Sequence, residues 1–316
     1  VSNDHVVAAL GSGRTTSEWI ADHTGIRFRH WAAEGQATSD LATAAAQRAL
    51  DDAGMPASDL DHILLCSTTS DWTSPAAANR VQALLGATCP AEDRQVACAS
   101  WLFGLDHAAR LCATGCRSVL VVGADVKSRF VAPDDFRLRP ILADGAGAVV
   151  LVPGTSDGFG VQAISLFSDG SRVRALYTPA GGSELPASQA TVAEGLHYVH
   201  MGVSGDDIRT HAIEIMSDSV RKVLRQTGWS LEEVDLVIAH QANLAILRGL
   251  SDELRVEMDR FPVTIDRTGN IVAATLPFTL DHVVRSGRVN PGDRLVLTTA
   301  GAGYSGGAAA YRVPAR

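Results

Sequence analysis

One stretch of this chain is written twice. Residues 54–66, GMPASDLDHILLC, align without a gap on residues 228–240, GWSLEEVDLVIAH, 174 positions later. FGLDHAAR, Phe103 to Arg110, aligns on FTLDHVVR, Phe278 to Arg285, at an offset of 175. Two segments at nearly one offset predict two homologous halves, 1–155 and 156–316. The halves differ at their polar ends. Cys98 lies just before the FGLDH segment, His240 at the end of an apolar run, and Asn270 just before the FTLDH segment. A Cys from one half and a His/Asn pair from the other read as one active site built across a pseudo-twofold axis.

Strand-like apolar runs fall at 5–10, 61–67, 93–97, 118–124, 146–152, 160–166, 235–239, 262–265, 293–299 and 307–313. They are continuous in apolarity, as strands covered on both faces require. Helical patterns lie between them, at about 17–23, 38–54, 75–86, 99–114, 205–227, 242–257 and 271–286. This alternation predicts an α/β fold. Because each half must cover its own sheet, five stacked layers are expected. The segment 169–204, with TPAGGSELPAS at 178–188, is the irregular part. Connections of that length in a compact protein are usually functional or mobile.

Composition closes off other classes. A net charge of −8 and 27 basic residues against 35 acidic ones argue against nucleic-acid or anionic-membrane partners. The longest apolar runs, SVLVVGAD at 118–125 and GAVVLVP at 147–153, are strand-length and far short of the roughly 20 residues of a membrane span. No signal-peptide pattern opens the chain, and its first residue is Val1 rather than Met, as expected where a short leader is missing or processed. Five cysteines, 66, 89, 98, 112 and 116, include no CxxC pair, which predicts a reducing, cytoplasmic setting without disulfides. Cys112 and Cys116 lie four apart but lack His or Cys partners, so no metal site is expected. Lys127 and Lys222 are the only lysines, which reads as a GC-rich genome's preference for arginine.

The residues that could do chemistry each have a plain alternative. Cys98, in RQVACASWLFGL, stands where a short strand ends and a helix begins, so the helix N-terminus would lower its pKa and favour thiolate. A free Cys is as readily a small buried hydrophobe. His240 ends the strand VDLVIA at a strand-to-helix turn, where α/β sheets place their sites; it could equally cap that turn. Asn270 follows Gly269 before a helix and could be an N-cap. The Gly-rich AGAGYSGGAAAYRV, 300–313, enters a strand and lacks the Lys-Ser/Thr of a phosphate loop. Its exposed N–H groups beside a Cys nucleophile could form an oxyanion hole.

With these residues assembled, the chain resembles β-ketoacyl-ACP synthase III, within the thiolase superfamily. The matching motifs are TSEWIADHTGIRFRH (16–30), VACAS (96–100), LADGAGAVVL (142–151), AHQANL (239–244), DRTGN (266–270) and GAGYSGGAA (301–309), in order over nearly the whole length. The resemblance implies a five-layered αβαβα fold and a homodimer. It implies that Cys98 takes an acyl group from acyl-CoA or an acyl-carrier-protein thioester. It implies that His240 and Asn270 bind the thioester carbonyl of a malonyl donor and stabilise the enolate left when CO2 departs. It places the oxyanion hole at the backbone N–H groups of Cys98 and Ala302, Trp19 against the adenine of CoA, Asn243 along the pantetheine tunnel and Arg209 near its mouth. No metal or redox cofactor is implied.

The sequence also departs from the family. His23 and Ala245 stand where the bacterial fatty-acid enzymes carry Arg, and Asp252 and Glu253 replace basic residues. These changes weaken the usual carrier-protein contact. Ser74, before Pro75, replaces a bulky residue that reaches the partner's acyl pocket, and the connection between Leu10 and Thr16 is short. Two activities are therefore expected as alternatives. One is decarboxylative condensation of a starter unit with a malonyl thioester in fatty-acid, polyketide or specialised biosynthesis. The other is transfer of the Cys98-bound acyl group to a hydroxyl or amine, with His240 as general base. A non-catalytic partner subunit is a third reading, which the intact Cys/His/Asn set disfavours.

Overall fold

The fold is that of a computed structural model, described for residues 1–11, 13, 15–154 and 158–314. The expected boundary between halves, 155/156, lies outside the described residues, as do parts of the Leu10–Thr16 connection. The first part of the chain carries α1 (Asn3–Leu10), α2 (Ser17–Thr24), α3 (Thr38–Ala53), β1 (His62–Cys66), α4 (Ala78–Leu85), β2 (Ala91–Arg94), α5 (Ser100–Ala113), β3 (Val119–Val126) and β4 (Asp144–Leu151). The second carries β5 (Gly160–Ser168), β6 (Leu176–Tyr177), α6 (Gln189–Ala193), β7 (His200–Met201), α7 (Gly205–Thr227), β8 (Leu236–Ala239), α8 (Leu244–Leu254), α9 (Ile265–Thr268), α10 (Thr275–Arg285), β9 (Arg294–Gly301) and β10 (Ser305–Arg312).

The repeated segments fold alike. In one sheet β1 runs parallel to β3, which pairs antiparallel with β4; in the other β8 runs parallel to β9, which pairs antiparallel with β10. The first sheet adds β2 beside β1, and the second adds β5 beside β10. The helices before β1 and β8 both end at a glycine with positive φ, Gly54 at 61° and Gly228 at 70°. A side chain there would strain the left-handed cap.

Strand alternation builds the layers. On β1, Leu64 and Cys66 face α5 and α10, while Ile63 and Leu65 face α3 and α4. On β8, Leu236 and Ile238 join the same central layer, while Val237 and Ala239 face α7 and α8. Successive side chains on a strand point to opposite faces, so two sheets with apolar residues on both faces require three helical layers. The αβαβα order is therefore α3/α4, sheet, α5/α10, sheet, α7/α8.

Three local expectations change. Residues 5–10 are helical, within α1: Ser2 caps the helix by accepting from the His5 N–H, and Val6 and Leu10 pack with Ile20 of α2. That i, i+4 pair is a helical spacing which a short apolar run conceals. Residues 262–265 form no strand; Val263 is exposed, and Ile265 already opens α9. The strand expected at 93–97 ends at Arg94, and the chain then turns through Ala97, at φ 47°, so that α5 begins at Ser100 rather than at Cys98. As expected, that strand is a sheet edge.

Candidate active site

Cys98 stands in the tight turn between β2 and α5, two residues before the helix starts. The turn is held by the Ser100 hydroxyl, which accepts from the Val96 N–H at 2.7 Å and donates to the Ala97 carbonyl at 2.7 Å. Across the site, the end of β9 presses on Cys98: a Cβ at Gly301 would lie 2.8 Å from the Cys98 backbone N. The Thr299 hydroxyl donates to the Cys98 carbonyl at 3.3 Å. The second half thus fixes the backbone of the first half's thiol.

His240 follows β8 directly, with its backbone N–H donating to the Thr298 carbonyl at 2.8 Å. It is 3% exposed, and neither ring nitrogen has a protein hydrogen-bond partner. Burial alone pushes its pKa down to about 4, so the ring is neutral near pH 7. Asn270 is pinned by the first half: its N–H donates to the Ile141 carbonyl at 2.9 Å, and its carbonyl accepts from the Ala143 N–H at 3.0 Å. Its Oδ1 accepts from the Val272 N–H at 3.0 Å. That bond fixes the amide and leaves its NH2 as the end available to a ligand. The bland reading of Asn270 as a local cap therefore holds for its oxygen.

Cys98, His240, Asn270 and Ala302 line one narrow cavity of about 70 Å³. Its apolar wall comes from Leu176, Ile208, Ala212, Met216 and Ile246. The irregular segment 169–204 thus contributes to the site through Leu176. Among the described residues, neither the Cys98 nor the Ala302 N–H donates to another backbone group.

The electrostatics reverse the expectation for the thiol. Burial pushes the Cys98 pKa up to about 12; the nearby Asp125 carboxylate adds to that, while Lys127 opposes it. The N-terminal field of α5 still favours the thiolate, but removal from water dominates because a bare thiolate loses most of its hydration there. Cys66, at the position matching His240, is fully buried and its thiol is likewise pushed up by burial.

The other expected contacts lie away from this cavity. Asn243 caps α8, its Oδ1 accepting from the Ala245 N–H at 2.8 Å, and its neighbour Ala242 lines the cavity instead. Arg209 pairs with Asp206 at 3.1 Å and opens on a groove between α7 and α8 with Ala245, Arg221 and Glu253. Trp19 is exposed on α2 and stacks on His23, with ring centroids 4.3 Å apart. Ser74 is exposed in the loop after β1.

Three residues of the site escaped the sequence reading. Tyr304 lines the cavity, and its hydroxyl donates to Asp207 at 3.4 Å. Asp125 is wholly buried at the end of β3, where a charge closing the apolar run SVLVVGAD was the available signal. Lys127, two residues on, was visible as one of two lysines.

The comparisons with known proteins agree with this geometry. Residues 93–170 match the model for 3-oxoacyl-[acyl-carrier-protein (ACP)] synthase III, and residues 224–313 match the model for its C-terminal part. The beta-ketoacyl-[acyl-carrier-protein] synthase III of Symbiobacterium thermophilum is 39% identical over 300 residues, covering 94% of this chain and 90% of that protein. The crystal structure of 3-oxoacyl-(acyl carrier protein) synthase III, FabH, from Pseudomonas aeruginosa PAO1 superposes with a TM-score of 0.90 at 37% identity, over 100% of this chain and 94% of that one. The priming β-ketosynthase of the R1128 polyketide pathway superposes with a TM-score of 0.89 at 28% identity, over 99% and 92%. Similarity of this extent over both halves, on a five-layered thiolase-like fold, means that the chain belongs to the β-ketoacyl-ACP synthase III family.

Proposed function

We propose that the protein primes chain synthesis by decarboxylative Claisen condensation, with Cys98 as the acylated residue. The observation that carries this reading is the convergence of Cys98, His240 and Asn270, from both halves, on one cavity with the Ala302 backbone. The Cys98 sulfur attacks the carbonyl of an acyl thioester, the bond to the donor's sulfur breaks, and the Cys98 proton ends on the departing donor thiolate, which leaves as a free thiol. The N–H groups of Cys98 and Ala302 donate to the oxygen that becomes negative in the tetrahedral intermediate. A malonyl thioester then enters. Its carboxylate C–C bond breaks, CO2 leaves, and the electron pair passes into an enolate. Neutral His240 and the Asn270 NH2 donate to that enolate oxygen. The enolate carbon attacks the acyl-enzyme carbonyl, forming the C–C bond and expelling the Cys98 thiolate.

Transfer to a hydroxyl or amine is the weaker reading. There His240 would act as general base, and a ring with its pKa near 4 takes a proton poorly at neutral pH. The substrates are acyl-CoA or acyl-carrier-protein thioesters, Trp19 stacks on the nucleotide, and Arg209 lies near the tunnel mouth. Five free cysteines suit a reducing, cytoplasmic setting; among the described residues no helix is long and apolar enough to cross a membrane. The edge strand β2 suits pairing with a second copy, which sedimentation would detect as a homodimer.

The test combines intact-mass measurement after incubation with a panel of acyl-CoAs and release of labelled CO2 from malonyl-carrier. One acyl group on Cys98, followed by CO2 release and a β-ketoacyl product, is expected. A Cys98→Ala variant that takes label at wild-type stoichiometry would overturn the nucleophile. Acyl-enzyme that releases no CO2, yet is discharged by alcohols or amines, would overturn the condensation.

A further inference from the structure

The turn that carries the Ala302 N–H has little stiffness of its own. It spans residues 302–304, between β9 and β10. Glycines flank Ala302 on both sides, and Gly303 takes φ 137°, a conformation that only glycine adopts freely. Ala302 itself offers only a methyl group to pack. An oxyanion donor acts through its aim, so something outside the turn has to hold it.

Tyr304 is the first side chain after Ala302 that reaches out of the turn. Its carbonyl accepts from the Asp169 N–H at 2.7 Å. Its ring stacks on His211 of α7, with centroids 5.3 Å apart and 19° between the planes. Its hydroxyl donates to the Asp207 carboxylate, one helical turn before His211, at 3.4 Å. The side chain is 5% exposed, and a hydroxyl so buried needs a partner; among the described residues that partner is Asp207. Asp207 is itself held from two directions. Arg172 reaches both of its carboxylate oxygens at 3.2 Å, and the His211 Nδ1 lies 2.8 Å from its backbone carbonyl. The next residue, Ile208, walls the Cys98 cavity. Three pieces of chain that surround the site, the 302–304 turn, α7 and the turn at 170–172, thus meet on one carboxylate.

A direct part in the chemistry fits Tyr304 poorly. Its hydroxyl proton is committed to Asp207, and burial, with that carboxylate beside it, pushes its pKa up. The residue can act on the reaction through the turn it belongs to.

We propose that Tyr304 and Asp207 are positioning residues for acyl loading: their hydrogen bond fixes the turn at 302–304 and so aims the Ala302 N–H at the oxygen of the tetrahedral intermediate on Cys98. The proposal rests on the reading of Cys98 as the acylated residue and of Ala302 as an oxyanion donor.

The experiment compares two reactions of the same thiol. Acyl loading from butyryl-CoA, followed by rapid quench and intact mass, needs an oxyanion donor. Alkylation by iodoacetamide forms no oxyanion and does not. Tyr304→Phe keeps the ring and removes only the hydroxyl. It should slow the loading step about tenfold at saturating butyryl-CoA, less than the 10²- to 10³-fold cost of losing a donor outright, and leave alkylation within about twofold of wild type. Asp207→Ala should do the same, and the double variant should lose no more than either single one, as expected for two ends of one interaction. Asp207→Asn keeps an acceptor oxygen and should restore loading to within about threefold of wild type. Wild-type loading by Tyr304→Phe, equal slowing of loading and alkylation, or additive losses in the double variant would each overturn the proposal. Tyr304→Phe decides alone where Asp207→Ala does not fold. Wild-type protein that takes no acyl group on Cys98 removes the reading beneath the proposal; normal loading in both wild type and Tyr304→Phe removes only the proposal.

Discussion

The Asp125 carboxylate accepts a hydrogen bond from the Ala273 N–H at 3.0 Å, joining residues 148 apart in sequence. Asp125 ends a strand of the first sheet, and Ala273 lies three residues after Asn270, in the turn that starts α10. The same carboxylate binds the Thr68 loop. One buried acid therefore ties the turn bearing Asn270 to the sheet that leads to Cys98.

This tie predicts opposite effects on thiol reactivity. Asp125 raises the Cys98 pKa and Lys127 lowers it. Asp125→Asn, which removes the charge and keeps the shape, should move the pH profile of Cys98 alkylation by iodoacetamide to lower pH. Lys127→Met should move it to higher pH. Superimposable profiles for the three proteins would show that neither charge reaches the thiol.

His240 and Asn270 should matter to the second half-reaction and not to the first. His240→Ala and Asn270→Ala are each expected to retain acyl loading on Cys98 and to slow CO2 release by about 10²- to 10³-fold, the usual cost of losing one donor to a developing oxyanion. Rapid-quench measurement of the two steps separates them. Equal loss of both steps would contradict the division of labour.

Burial of neutral His240 should make the fold acid-sensitive. Unfolded, the ring takes a proton near pH 6.5; folded, it resists until about pH 4. The unfolded state thus binds more protons in that window. The stabilising contribution is full above pH 6.5 and is lost as the pH falls toward 4, to a total on the order of 3 kcal/mol. Urea titrations of wild type and His240→Gln between pH 7 and 4 test this. The variant should show the shallower decline, and parallel curves would refute the assignment.

Gly301→Ala should damage loading more than stability. The added Cβ would meet the Cys98 backbone N at 2.8 Å, closer than such atoms approach, and its Cβ at 3.2 Å, a tight contact. The site can relieve this only by shifting the thiol, and small misplacements of a nucleophile cost about 100-fold in rate. Overpacking costs about 1–3 kcal/mol of stability. Acyl loading by mass spectrometry beside a thermal melt separates the two, and wild-type loading would count against the close approach.

Much of this protein was legible along the chain. The repeat at 54–66 and 228–240 foretold matched strands, β1 and β8, each after a helix closed by glycine, because local patterning and cap chemistry belong to the segment itself. Continuous apolarity foretold sheets covered on both sides. The residues 5–10 misled because a run of five apolar positions, 6–10, suits either period, and only packing on α2 chose the helix.

What the chain alone determined was the alternation of strands and helices, the need to cover both faces of each sheet, and which polar groups stand at the strand ends. The tertiary structure decided the charge states at the site. The sequence pointed Cys98 toward thiolate by its place before a helix, yet enclosure by both halves drives its proton affinity upward and that of His240 downward. Desolvation depends on every atom that excludes water, most of them remote in sequence, so no local motif encodes it.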